Sequence, residues 1–226
     1  MQIVILAAGR GTRMNDLTDN VPKPMLEIKG KPILAYKLEA LPAEIDEVIF
    51  VIGYLGNKIQ QYFGDLYAGK KISYVVQEQL NGTGGAVLLV KDLMKDDFLV
   101  MMGDDLYMRE DVEKIMKANL AIVGMEILNS KRFGVIILDE NGNLKETVEN
   151  LSAQGTVLVN TGLYKLNKKF FDYSLVAIGK GEYGLPQTLA LVAKDYPVKV
   201  EKANYWFPIG NPEDLEKAQE EIDKFI

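Results

Sequence analysis

Short apolar runs alternate with amphipathic stretches through the first half of the chain. Runs rich in β-branched residues, typical of strands, cover residues 3–6, 48–52, 72–76 and 98–102. Helical periodicity covers the stretches between them, at 32–41, 57–63 and 83–93. The strand runs are continuously apolar, which is typical of strands that are covered by helices on both faces. The pattern therefore predicts a parallel sheet wound by right-handed βαβ units.

Hairpin signals dominate the pattern after about residue 119. Four strand-like segments, "AIVGMEI", "FGVIIL", "LKETVEN" and "VLVNTGLYKL", surround the turn sequence at 139–143. A last helix is predicted over "NPEDLEKAQEEIDKFI", with Asn211 as its cap and an apolar stripe of Leu215, Ala218, Ile222 and Phe225. No repeat or linker separates the halves. We expect a single domain, 1–226, in which residues 1–119 form one half and residues 120–226 form a second, substrate-covering half.

The composition restricts the partners. With 48% hydrophobic residues, the 226-residue chain can bury a core of ordinary size. The formal net charge of −6 opposes long-range attraction to nucleic acid or to anionic lipid, so we expect neither partner. The sequence has no leader and no apolar run of about eighteen residues, from which we expect a cytoplasmic protein.

The chain contains no His and no Cys. It therefore lacks a thiolate nucleophile, a Ser-His pair and the usual zinc ligands. Catalysis would have to come from carboxylates, Lys, Arg, backbone amides and a hard metal ion. Phosphoryl transfer suits these groups, because its transition state needs positioning and charge neutralisation rather than a strong base.

The first strand runs directly into the glycine-containing turn of "LAAGRGTRM", followed by "PKPM". Gly9 and Gly11 let the backbone approach a ligand closely, Arg13 brings a planar fork suited to phosphate, and Lys23 is held between two prolines. These features favour a polyphosphate site, although a tight turn with solvated basic residues is the simpler alternative. A dinucleotide site is disfavoured because Met14 stands where G-x-G-x-x-G needs its third glycine, and no Walker motif is present.

"LAAGRGTRM" with "PKPM" resembles the signature of the sugar-1-phosphate nucleotidyltransferases, which join a nucleoside triphosphate to a sugar phosphate. The resemblance extends to about residue 220 through "VVQEQLNGTGGA", "MMGDD", "FGVI", "VEN", "VNTGLY" and "NYWFPIGNPEDLEKA". It implies a Rossmann-like, mostly parallel sheet with helices on both faces, of the GT-A type, and a strand-rich sugar-binding second half. It also implies that Mg²⁺ is the cofactor and that a nucleoside triphosphate and a sugar 1-phosphate are the partners.

The resemblance assigns roles residue by residue. Nucleotide binding falls to Leu6, Ala7, Ala8, Gly9, Gly11, Thr12, Gln77, Gly82 and Thr83, with Gln77 reading the base edge. Catalysis falls to Arg13, Lys23 and Asp104, of which Asp104 also holds the metal. Sugar binding falls to Gly134, Glu149, Asn160 and Thr161.

Two departures from the family pattern keep alternatives open. Pro208 stands where many members have a second metal carboxylate, and the side-chain oxygen of Asn204 or another nearby oxygen could serve as the metal ligand in its place. Asn150-Leu151 stands where most members have Lys-Pro. One alternative is therefore a regulatory or binding protein that has lost turnover. Another is a metal-dependent glycosyltransferase that uses Asp104-Asp105, which would leave the first signature unexplained.

The substrates are less sharply defined by the sequence. UTP or dTTP with a hexose such as glucose is favoured, while GTP with mannose or heptose stays open. Homo-oligomerisation also stays open. After the last signature the sequence leaves no room for an appended β-helix acetyltransferase domain, so we expect no second activity of that kind.

Overall fold

The computed structural model describes residues 1–128, 132–149, 151 and 155–226. The strands are β1 (Gln2–Ala7), β2 (Glu27–Ile28), β3 (Lys31–Pro32), β4 (Glu47–Ile52), β5 (Leu66–Tyr67), β6 (Lys70–Val76), β7 (Phe98–Met102), β8 (Asp105–Tyr107), β9 (Ala121–Leu128), β10 (Val135–Leu138), β11 (Leu144–Val148), β12 (Thr156–Leu166), β13 (Val176–Gly179), β14 (Glu182–Gly184), β15 (Lys199–Lys202) and β16 (Trp206–Pro208). The α-helices are α1 (Ile33–Ala40), α2 (Gly56–Phe63), α3 (Gly82–Leu88), α4 (Arg109–Ile115), α5 (Leu185–Val192) and α6 (Pro212–Glu221). Short 3₁₀ segments cover Thr12–Thr18, Lys23–Met25, Lys91–Leu93, Lys168–Asp172 and Ile222–Lys224.

The central sheet has the strand order β11-β10-β12-β7-β1-β4-β6-β5, and β9 pairs with β12 and β15 beside this path. Four of its strands, β7, β1, β4 and β6, are parallel neighbours. The chain winds outward from β1 through β4 to β6 and then crosses back to β7 on the other side of β1. Ligands of open α/β sheets bind where the winding direction reverses, at the carboxyl ends of the strands. Here that point is the gap between the ends of β1 and β7.

Helices cover both faces of the sheet, as the continuous apolar runs predicted. Alternate residues of β1 belong to two different cores: Ile3 and Ile5 pack on one face, and Val4 and Leu6 pack on the other. The first core includes buried residues of α1, α2 and α4. The second includes residues of α3 and α5. The predicted α/β class is therefore confirmed.

The strands after residue 120 extend the same sheet. β12 pairs antiparallel with β7, through register partners such as Leu163 and Met101, and also with β9. The predicted hairpin is present, since β10 pairs antiparallel with β11. The expected boundary at 119/120 falls between α4 and β9, and the hydrogen-bonded sheet continues across it.

The last helix forms as its sequence predicted. The Asn211 Oδ1 accepts a hydrogen bond from the Asp214 backbone N–H at 2.8 Å, which caps α6. Ala218, Ile222 and Phe225 are buried in a third, smaller core. Pro32 differs slightly from expectation, because it pairs in β3 and α1 begins one residue later.

Candidate active site

The ends of β1 and β7 are held close together. The Gly103 backbone N–H donates to the Leu6 carbonyl at 2.9 Å. A Cβ on Gly103 would lie only 2.8 Å from that carbonyl oxygen, so a larger residue would push the two strand ends apart. The turn after β7 thus delivers Asp104 beside the glycine turn that follows β1.

The glycine turn folds back onto the "PKPM" segment. Gly11 has a left-handed backbone with φ of +67°, and a Cβ there would lie 2.9 Å from the Cβ of Lys23. The Thr18 hydroxyl donates to the Gly11 carbonyl at 3.2 Å, which holds the turn closed. Glycine at this position therefore allows the predicted phosphate loop and Lys23 to be in contact.

Lys23 and Asp104 form an ion pair through Nζ and Oδ2. The Lys23 side chain is 8% exposed and that of Asp104 is 24% exposed, so the carboxylate is the more accessible partner. Such a pair is charge-assisted and little screened by solvent. It fixes both side chains at the sheet edge before any ligand arrives.

Two adjoining cavities open around this pair, each of about 250 Å³. The first, which we call the loop cleft, lies along the glycine turn. The second, the sheet cleft, extends over the end of β7 and the middle of β12 toward the second half. Arg13, Lys23, Asp104 and Gly210 line both cavities, so these residues form the junction between the two clefts.

Most of the residues that the sequence singled out meet here. The loop cleft is lined by Leu6, Ala7, Gly9, Gly11 and Thr12, and the sheet cleft by Thr83, Glu149, Asn160 and Thr161. Gly134 stands behind Glu149, since a Cβ on it would lie 2.6 Å from the Glu149 Oε1. The Gly134 carbonyl also accepts from the Asn160 backbone N–H at 2.8 Å. The three proposed catalytic side chains, Arg13, Lys23 and Asp104, lie at the junction.

Besides Gly134, three predicted residues do not line either cleft: Ala8, Gln77 and Gly82. The Ala8 carbonyl accepts from the Tyr54 backbone N–H at 3.2 Å. The Gln77 Nε2 donates to the Asn81 Oδ1 at 2.9 Å and to the Gly82 carbonyl at 3.2 Å, so the amide holds its own loop. Gly82 lies against the backbone of Tyr183. The base-reading role of Gln77 stays a prediction.

Asp105 lies beside Asp104 in the sheet cleft, and sequence reasoning gave it a role only in the glycosyltransferase alternative. The Trp206 indole N–H donates to its Oδ2 at 3.1 Å. Burial, together with the charge of Asp104, raises the pKa of Asp105 to about 7. The resemblance through "MMGDD" assigned a role to Asp104 alone.

Lys37, on α1, lies beneath the Asp104 turn and carried no sequence signal beyond helical periodicity. Its buried Nζ donates to the Met102 carbonyl at 2.5 Å and to the Asp105 carbonyl, on the two sides of Asp104. Burial lowers the pKa of Lys37 to about 8. Lys37 therefore ties the turn that presents Asp104 to the body of the protein.

The structure places the residues that depart from the family pattern in different surroundings. Pro208 lines the sheet cleft and pairs with Asp105 across β16 and β8. Asn204 lines neither cleft, because its backbone N–H and its side chain both donate to the Asp111 carboxylate, at 2.9 and 2.8 Å. Asn150 lies outside the described residues. Within the described ranges, no group of three or more His, Cys, Asp or Glu residues is arranged to hold a metal ion.

Across the described part of the chain, no helix is both long and apolar enough to span a membrane.

Comparison with known proteins identifies the class. The profile of the family described as Nucleotidyl transferase matches residues 2–224, and the chain belongs to this family. The chain is 36% identical over 221 residues to the bifunctional protein GlmU of Methanocaldococcus jannaschii, covering 96% of this chain and 53% of that protein. The chain thus spans about half the length of that relative.

Two further proteins match over nearly their whole length. The UTP–glucose-1-phosphate uridylyltransferase AglF of Haloferax volcanii is 30% identical over 236 residues, covering 99% of this chain and 97% of that protein. The crystal structure of HddC from Yersinia pseudotuberculosis has a TM-score of 0.77 and 29% identity, covering 97% of this chain and 98% of that one. A second HddC structure, with a TM-score of 0.75, is a complex with GMP-PN.

Proposed function

We propose that this protein is a sugar-1-phosphate nucleotidyltransferase, which joins a nucleoside triphosphate to a sugar 1-phosphate and releases pyrophosphate. The observation that carries the proposal is the junction of the two clefts, where the Lys23–Asp104 ion pair and Arg13 meet. A reaction between two phosphorylated substrates needs two adjoining cavities with cations and a carboxylate between them. Family membership supports the same reaction.

The loop cleft is the proposed nucleotide site. Small residues, Ala7, Gly9 and Gly11, line it, so the backbone can approach a base and ribose closely. Thr12 and Arg13 would then contact the phosphates at the junction. The sheet cleft is the proposed sugar site, because its polar groups suit hydroxyls. The Asn160 Oδ1 accepts from the Gly162 backbone N–H at 2.9 Å and its Nδ2 donates to the Tyr164 hydroxyl at 2.7 Å, which fixes the amide beside Glu149.

The donor set fits Mg²⁺. Asp104 offers a partly exposed carboxylate oxygen, and Asp105 lies next to it in the same cleft. Mg²⁺ in enzymes usually takes one or two carboxylates and completes its octahedron with substrate phosphates and water, so a full protein cage is not needed. When bound, the ion would neutralise charge on the phosphate oxygens as a Lewis acid.

The chain's own residues would act as follows. An oxygen of the sugar 1-phosphate attacks the α-phosphorus in line, the bond from that phosphorus to the β-phosphate oxygen breaks, and pyrophosphate leaves with the electron pair. The attacking phosphate is already ionised at neutral pH, so no general base is required. Arg13 and Lys23 stabilise the charge that develops on the phosphates, and the lack of histidine has no consequence for this mechanism.

The proposed substrates are UTP or dTTP with a hexose 1-phosphate. AglF, which matches over 97% of its length, is named as a UTP–glucose-1-phosphate uridylyltransferase, and this supports UTP with glucose 1-phosphate as the first pair to test. HddC has been crystallised with GMP-PN, so GTP belongs in the same screen.

Pyrophosphate release tests the proposal. The common triphosphates would be paired with hexose 1-phosphates in the presence of Mg²⁺, after a thermal-shift screen ranks the triphosphates by binding. We expect release that requires both substrates. Binding of a triphosphate without release with any sugar phosphate would instead favour the regulatory alternative, which the proline at position 208 motivates.

A further inference from the structure

Arg132 precedes β10 and lies at the junction of the two clefts, although no sequence motif drew attention to it. It lines the sheet cleft. A Cβ on Gly210, which lines both clefts, would lie 2.5 Å from the Arg132 Nη2. The guanidinium is therefore packed against the backbone that the two cavities share.

The guanidinium is held in place from two sides. Its Nη2 lies 2.6 Å from the Asp214 Oδ2, and its Nη1 donates to the Oδ1 at 3.4 Å. Asp214 is itself fixed, because its side chain is only 13% exposed and its Oδ2 accepts from the Gly210 backbone N–H at 2.8 Å. The guanidinium also lies 5.4 Å from the centre of the Phe133 ring, which packs edge-on against Trp206. Arg132 is thus far more constrained than an ordinary surface arginine.

Arg132 keeps hydrogen-bond donors for a ligand. A guanidinium has five N–H groups, and the contacts with Asp214 use one on each terminal nitrogen. The side chain is 45% exposed, so the other donors can reach the cavity. The hydrogen bonds with Asp214 raise the pKa of Arg132, so the group stays charged at any working pH.

Arg132 balances the carboxylates that line the sheet cleft. Its described lining includes three carboxylates, Asp104, Asp105 and Glu149, and three cations, Arg13, Lys23 and Arg132. Lys23 is already paired with Asp104. A phosphate monoester carries between one and two negative charges near neutral pH, so it would be repelled from this cavity without a further positive group.

We infer that Arg132 binds the phosphate of the sugar 1-phosphate, and that Asp214 and Gly210 position it for this task. The inference rests on the proposed function. It makes Arg132 a binding residue that directs the attacking phosphate toward the junction, where the α-phosphate of the nucleotide would lie. A guanidinium suits this role better than an ammonium because its planar fork can contact two phosphate oxygens at once.

Steady-state kinetics provide the first test. Arg132→Ala should raise the KM for the sugar 1-phosphate by about ten- to a hundredfold, the scale expected for one lost charge-assisted hydrogen-bonding group. The KM for the triphosphate should stay within about twofold, and Arg132→Lys should recover part of the loss. Arg109→Ala is the matched control, because Arg109 makes a similar ion pair, with Glu113 at 2.8 Å, outside both clefts.

A second variant moves the guanidinium without removing its charge. The methyl group of Gly210→Ala would displace the tip of Arg132, because the Arg132 Nη2 lies only 2.5 Å from the position that the new Cβ would take. The KM for the sugar 1-phosphate should again rise, and Gly210→Ala should add little to Arg132→Ala in the double variant. Melting temperatures would verify that each variant is folded.

Calorimetry supplies a readout that does not depend on turnover. With a non-hydrolysable triphosphate analogue and Mg²⁺ present, the wild type should bind the sugar 1-phosphate more tightly than the parent sugar, and Arg132→Ala should lose most of that difference.

The outcomes separate the two proposals. Absence of pyrophosphate release from the wild type would refute the proposed function, and the calorimetric comparison would then decide on Arg132 alone. An active wild type in which Arg132→Ala leaves both KM values unchanged, or raises only that for the triphosphate, would overturn the inference. A wild type that binds the parent sugar as tightly as the sugar phosphate would overturn it as well.

Discussion

Arg10 and Arg13 belong to the same glycine turn but have different surroundings. Arg13 lines both clefts, whereas the exposed Arg10 lies 5.2 Å from the centre of the Tyr54 ring and lines neither. We expect Arg13→Ala to lower the turnover rate about a hundredfold, on the scale of removing one donor that stabilises transition-state charge. Arg10→Ala should retain nearly full activity. Equal effects of the two substitutions on pyrophosphate release would mean that the turn does not act through a specific phosphate contact.

Asp105 should make the stability of the protein depend on pH. Its folded-state pKa, about 7, is above the ordinary value of 3.8, so between pH 3.8 and pH 7 the folded protein holds a proton that the unfolded chain releases. This stabilisation is fully present below about pH 4 and is lost as the pH rises through 7. Asp105→Asn, which keeps an oxygen for the Trp206 N–H, removes the titration.

The measurement is urea unfolding without Mg²⁺ at several pH values. Relative to Asp105→Asn, the wild type should lose up to a few kcal/mol of unfolding free energy between pH 4.5 and 8, because one pKa unit corresponds to about 1.4 kcal/mol. Parallel curves for the two proteins would show that Asp105 is ionised in the folded state throughout this range.

Pro208 allows the metal site to be tested by substitution. Pro208→Asp would add a carboxylate to the cleft that already holds Asp104, Asp105 and Glu149. Without Mg²⁺ the variant should melt at a lower temperature because like charges repel, and with Mg²⁺ it should recover more than the wild type does. Asp104→Asn should abolish turnover at any practical Mg²⁺ concentration. A Pro208→Asp variant whose melting temperature and activity respond to Mg²⁺ as in the wild type would refute this account.

At the scale of secondary structure, the loop between β6 and α3 depends on close contact with β14. Gly82 has φ of +89°, and a Cβ there would collide with the carbonyl oxygen of Tyr183 and lie 2.8 Å from its nitrogen. The Tyr183 backbone N–H in turn donates to the Asn81 carbonyl at 2.8 Å. Gly82→Ala should therefore displace β14 from the start of α3.

Gly69→Ala is a control for Gly82→Ala, since Gly69 also has a positive φ, of +75°, but nothing lies within 4 Å of its Cβ position. Both substitutions carry the backbone penalty of about 1 kcal/mol, so the excess loss of unfolding free energy in Gly82→Ala measures the collision. We also expect Gly82→Ala to weaken binding of the sugar 1-phosphate in calorimetry, because Thr83 follows directly and lines the sheet cleft, the proposed sugar site. Equal losses in the two variants would remove the argument for a structural contact at Gly82.

The elements that the sequence predicted well are those with strong local signals. The four parallel strands and α1 to α3 were recognised from apolar periodicity, and the cap at Asn211 was recognised from residue type. α5 and the pair β13–β14 were not predicted, because their local pattern is weak and their formation depends on packing against α3.

The site residues that could be predicted from the sequence are likewise those whose position depends on local signals. Residues on the turns directly after β1 and β7 could be predicted, since their position follows from topology alone. Arg132 and Lys37 could not, because their importance depends on partners distant in sequence: Asp214 for Arg132, and the Met102 and Asp105 carbonyls for Lys37.

Across the whole molecule, the two sequence halves share the central sheet and all three cores. β12 hydrogen-bonds to β7, and the first core combines residues such as Phe50 and Leu99 with Val159 and Trp206. Separation of the halves would expose this apolar surface and break the β7–β12 ladder. We therefore expect the halves to unfold together in one cooperative transition.

The chain's one tryptophan makes cooperative unfolding measurable. Trp206 is buried where the second half packs on the first, so its fluorescence follows the contact between the halves, while far-ultraviolet circular dichroism follows the whole chain. In a Trp206→Phe background, Tyr62→Trp would report on α2 in the first half, where Tyr62 is 47% exposed and tolerates a larger ring. In each protein, the urea midpoint from tryptophan fluorescence should equal the midpoint from the circular dichroism of the same protein. A first-half midpoint that differs from that of the circular dichroism curve would mean that residues 1–119 unfold as a separate unit, because a shared β7–β12 ladder cannot persist when only one of its strands is folded.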